Sequence, residues 1–64
     1  MTLQELASLP KGTRVRLMLG DEYEYATIGL SGAITHVTWD DGPTSLIDAK
    51  SQVWSEFVGE MEVA

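Results

Sequence analysis

The sequence predicts a small, mainly β domain: an antiparallel sheet or partly open barrel of four to five short strands, with a short N-terminal helix. Three observations carry this. Thr13 to Leu19 alternates apolar and polar residues, with Val15, Leu17 and Leu19 facing one way and Arg14, Arg16 and Met18 the other. Gly32 to Gly42 is dense in β-branched and aromatic residues and stops on Asp40-Asp41-Gly42-Pro43, whose chemistry favours a reversal. Thr2-Leu3-Gln4-Glu5 has the spacing of a capping box, in which the Thr2 side chain and the Glu5 side chain each satisfy the other's backbone N–H.

Taken in order, Leu3, Leu6 and Leu9 form a narrow apolar stripe, and Pro10-Lys11-Gly12 ends the helix. A helix this short does not hold alone, so its leucines are expected to dock on the sheet. Gly20-Asp21-Glu22 reads as a turn. Tyr23 to Leu30 reads as a second strand, with Ala26, Ile28 and Leu30 inward and Tyr23 and Tyr25 partly exposed. Gly29 and Gly32 suit a tight hairpin or a bulge before the strand built around Val37. That strand is expected to be central, with Thr35, Val37 and Trp39 on the core side and Ile34, His36 and Thr38 opposite. Pro43 lacks an N–H and therefore belongs at the start of the next strand, Thr44 to Ile47. The C-terminal third has two readings. One is a short helix within Asp48 to Phe57 followed by a strand near Gly59 to Val63; the other is a single strand from Val53 to Val58.

With 64 residues the chain is a single domain, and a domain of that size buries only about 60% of the surface its unfolded form exposes. It has no cysteine, so no disulfide or thiolate site supports the fold. No apolar run approaches the roughly 20 residues of a membrane span, and no signal-peptide pattern opens the chain. The expected location is cytoplasmic, the host cytoplasm if the gene belongs to a phage. Ten acidic residues stand against four basic ones, a formal charge of −6, which argues against direct nucleic-acid binding.

Lys11-Gly-Thr-Arg-Val-Arg-Leu17, a glycine-bracketed hairpin and Gly32-Ala-Ile-Thr-His-Val-Thr-Trp-Asp-Asp-Gly42 together resemble the SH3-like barrels of small bacterial and phage proteins, with their G-x-x-V-x-L and G-x-V-x-x-V-x-W-D-x-G pattern. The resemblance covers residues 11 to 47 and is structural. The N-terminal helix and the acidic C-terminal tail depart from it.

Catalytic chemistry finds little support. His36 is the only histidine, no nucleophile is spaced to meet it, and Asp40 is expected on the opposite strand face. Asp40-Asp41 and Asp21-Glu22-Glu24 lack the ligand count of a calcium loop, and no phosphate-binding glycine loop precedes a helix. The expectation is a protein that is not an enzyme and uses no cofactor or metal. Two binding constellations remain. In the first, Glu22 with Glu24 and Glu60 with Glu62 present charges about 6.6 Å apart along strands, the order of the spacing of phosphates, with Asp40, Asp41 and Asp48 extending the row if their loops lie on the same side. Asp21, Glu22, Glu24, Asp40, Asp41, Glu60 and Glu62 would then act as phosphate surrogates toward a basic, nucleic-acid-binding protein, with Tyr23 or Tyr25 adding a contact. By size, acidity and lack of catalytic apparatus this resembles the DNA-mimic inhibitors of phages, anti-CRISPR proteins among them. In the second, Tyr23, Tyr25, Trp39 and Trp54 near carboxylates form an aromatic groove for a basic or proline-rich peptide, or a cage for a methylated lysine.

Overall fold

The computed structural model describes residues 1–47 and 57–64. It is an open five-stranded antiparallel sheet with two short helical segments. The strands are β1 (Arg14–Leu19), β2 (Glu22–Ser31), β3 (Ile34–Trp39), β4 (Thr44–Leu46) and β5 (Glu62–Val63), in the order β4-β3-β2-β1-β5. Helix α1 spans Leu3–Ser8, and residues 57–60 are helical and are called α2. The middle strand is β2, paired with β1 along one edge and β3 along the other, and β3 is likewise interior, between β2 and β4.

Turn chemistry sets the register. Gly20 and Gly32 are each the first residue of a two-residue hairpin loop and each has positive φ, +65° and +64°. No other residue of either loop does, the pattern of a II′ turn with glycine at its first position. Asp40–Gly42 turns β3 into β4, closed by the Gly42 N–H donating to the Trp39 carbonyl at 3.0 Å, with Pro43 just ahead of β4 as its missing donor requires.

With register fixed, period-two alternation sorts the side chains. Val15, Leu17, Ala26, Ile28, Thr35 and Val37 are buried on one face, called the inner face here. Leu19 and Leu30, also expected inward, sit past the ends of the covering layer and are about half exposed. That layer is α1 and α2. Thr2 and Glu5 form the capping box, and Leu6 is fully buried with Leu3 and Leu9 packed at the margin of the core. Val58 and Met61, three apart on α2 and its exit, are both buried. The Met1 ammonium donates to the carbonyls of Val58, Gly59 and Met61 at 3.2, 3.3 and 3.0 Å, tying the residues just ahead of α1 to α2 and the residue that follows it. The terminal strand lies where Gly59 to Val63 predicted it; the helix or strand readings within 48–56 fall outside the described residues.

On the outer face, His36 lies across Gly29, its neighbour on β2, and its Nδ1 is 2.8 Å from the Ser31 hydroxyl. A Cβ on Gly29 would collide with the imidazole, so the cross-strand pair works only with glycine beneath the ring. Gly29→Ala is therefore expected to destabilise the fold by about 1 kcal/mol and to cost distinctly less in a His36→Ala background, a coupling that urea denaturation of the four-member double-mutant cycle reads directly.

Candidate functional site: an apolar groove with an acidic rim

Two features of the sheet create a groove at one end of the inner face. The β1–β2 hairpin runs past β3: Leu17 pairs with Glu24 and Leu19 with Glu22, whereas the last pair between β2 and β3 is Ala26 with Trp39. Among the described residues the covering layer also stops short there, with Leu17 and Leu19 on the groove's lining. Among the described residues Trp39, Pro43 and Phe57 supply the remaining apolar walls, and Glu24 and Asp41 supply the only charged ones. The cavity is about 250 Å³. Trp39 is half-buried and held in place, its Nε1–H donating to the Ser45 hydroxyl at 3.1 Å. Phe57 precedes the buried Val58, so the anchoring of α2 also fixes its position at the groove.

The seven carboxylates expected to form one strip are divided. Asp40 accepts two bonds from Arg14, both 2.6 Å, and Arg14 also donates to the Thr27 hydroxyl at 2.9 Å. Glu62 accepts from Arg16 Nε at 2.7 Å. Both pairs lie on the outer face. Glu60 belongs to α2 and Glu62 to β5, so the strand spacing expected between them does not arise. Asp21 stands exposed in the β1–β2 turn, and Glu22 and Glu24 follow on the inner face. Among the described residues, Asp21, Glu22, Glu24 and Asp41 have no ion-pair partner, and antiparallel topology places all four at the same end of the sheet.

The tyrosines are corrected in the same way. Tyr23 and Tyr25 lie on the outer face, their ring centroids 6.3 Å apart, with the Arg16 guanidinium 4.3 Å from the Tyr23 centroid and that of Arg14 5.8 Å from the Tyr25 centroid. They do not line a groove with Trp39, which faces the other way. Trp54 lies outside the described residues. Asp40 also stands on the same face as His36, against expectation, since positions 36, 38 and 40 share strand parity and Asp40 turns toward Arg14. Sequence reasoning missed Leu17, Leu19, Pro43 and Phe57 as a site; they come from three separate segments, and the overhang of the hairpin brings them together.

The outer-face pairs shift their own titrations. Arg14's hydrogen bonds hold the Asp40 carboxyl below its usual range against a smaller opposing effect of desolvation, and the same bonds raise Arg14. Arg16 is raised chiefly by its bond to Glu62. A carboxyl depressed in the folded state contributes stability that is complete above its unfolded pKa and is lost as pH falls through the folded one. Between neutrality and about pH 3, the protein is expected to lose more stability than an Arg14→Gln variant does, compared by urea midpoints at each pH.

Among the described residues no helix is long and apolar enough to cross a membrane, and no three His, Asp or Glu side chains are grouped to hold a metal ion. No protein-family model, curated protein or solved structure matches this chain.

Proposed function

We propose that this chain is a non-enzymatic interaction domain that takes a basic segment of a partner protein, proline-bearing or aliphatic beside its cation, into the groove between Trp39 and Phe57. The observation that carries the reading is the contrast between the two faces. Asp40 and Glu62 are each satisfied by an arginine, whereas Glu24 and Asp41 stand at an apolar cavity without a cation among the described residues. A lysine or arginine has an apolar stem and a charged head, and such a side chain meets both halves of this site at once. A volume of about 250 Å³ suits side chains of a peptide better than a metabolite, whose pockets run from about 300 to 1,000 Å³.

The decoy reading is supported by a narrower set than the seven surrogates named from sequence. Asp21 and Glu22 continue the negative charge of Glu24 and Asp41 along the hairpin, so a cationic surface larger than a peptide would meet four carboxylates at one end. The two readings separate on where the charge matters.

A lysine- and proline-containing peptide, titrated by calorimetry, is expected to bind the protein and to bind the Glu24→Gln/Asp41→Asn variant about tenfold more weakly, the loss expected of two partly screened ion pairs. Reversing Asp21 and Glu22 to lysine is expected to slow peptide association with little change in dissociation. Equal affinity of protein and double variant refutes the groove. Loss of partner inhibition on reversing Glu22 and Glu24, without any peptide affinity, assigns the decoy role instead.

A further inference from the structure

We infer that the outer face of the sheet is the contact surface for a second copy of this chain, giving a two-fold dimer through that face; this goes beyond the groove reading and does not depend on it. Met18, Tyr23, Tyr25, Ile34 and Leu46 all project from this face and are 37–52% exposed, and among the described residues the helical segments pack on the opposite face. In a sheet with one buried face, a second face carrying this much apolar and aromatic surface is a contact surface.

Charge selects the occupant. Among the described residues, the four ionised side chains on this face are two arginines and two carboxylates paired one to one. They cancel, and the full −6 is carried by the remaining eight acids and two bases. Among the described residues every other carboxylate lies off the face: Glu5 on α1, Asp21 in a turn, Glu22, Glu24 and Asp41 toward the groove, and Glu60 on α2. Two copies approaching by any acidic surface repel, and the outer face is where they do not. An isologous contact must also complement itself, which requires both signs of charge on one patch, and Asp40–Arg14 and Glu62–Arg16 provide this. A standard interface takes about 800 Å² from each partner, about a fifth of the 4188 Å² the chain exposes, an amount one broad face of a two-layer domain can supply.

The test is the molar mass in solution from about 10 µM to about 1 mM, by sedimentation equilibrium. The expected result is a mass that rises to twice that of the chain. Tyr25→Glu removes an exposed ring and adds a third carboxylate beside Arg14 and Arg16, ending the neutrality of the face, and is expected to hold the protein monomeric across the range, with circular dichroism confirming the fold; Ile34→Asp adds a charge from another strand should Tyr25→Glu fail to fold. Glu60→Gln, off the face, is expected to leave the dimer intact. A single-chain mass at every concentration overturns the inference, as does a dimer that persists in both folded outer-face variants.

Discussion

Among the described residues only one face of the sheet is covered, and the rest of the structure follows from how that cover is built. Two short helical segments, α1 and α2, carry the apolar side chains that close the inner face, and the six residues of α1 are too few to stand without the sheet. They are tied to each other by the Met1 ammonium on the carbonyls of α2, so the layer behaves as one cover rather than two. Its extent determines what is core and what is site. Leu17 lies beneath the edge of the cover, and Leu19, one pleat further along the same strand, lies beyond it. The groove is the part of the inner face that the cover, among the described residues, does not reach.

The sheet's alternation then assigns charge to faces. Arg14 and Arg16 are outward because Val15 and Leu17 are inward, and Glu62 follows because β5 pairs it with Arg16. Arg14 reaches across Thr27 to Asp40, linking strands β1 and β3 over the middle strand. Half of the chain's basic residues are consumed in this way, at positions where their exposure makes each pair a weak contributor to stability. The larger effect is on the surface potential. The outer face becomes neutral, and the groove end keeps its carboxylates uncompensated among the described residues.

Most of the fold was legible because it is written in local rules. The capping box, the Val15–Leu17 alternation, the Thr35–Val37–Trp39 parity and the glycines of the turns each act over a few residues, and each appears as expected. Strand order is less local: β3 lies inside the sheet between β2 and β4, as expected of a central strand, while the middle place goes to β2, and pairings between distant segments decide which. The site was less legible for the same reason. Whether Asp40 is a free carboxylate or half of an ion pair depends on Arg14, 26 residues away and two strands distant. Parity along β3 was available from sequence and places Asp40 outward with His36; the identity of its partner requires the register of three strands.

The two faces answer different physical demands, and the division has a consequence for recognition. A charge distributed evenly over a domain this small would steer a cationic partner toward it without orienting the encounter. Here the uncompensated carboxylates among Asp21, Glu22, Glu24 and Asp41 surround one end, so attraction is strongest where the apolar cavity also lies. Long-range steering and short-range fit then act on the same place. Removing the arginines from the outer face would lower the net charge further and strengthen attraction overall, yet it would free Asp40 and Glu62 to compete for the same cation from the wrong side. The ion pairs thus matter less for holding the sheet together than for restricting where the negative charge can be met.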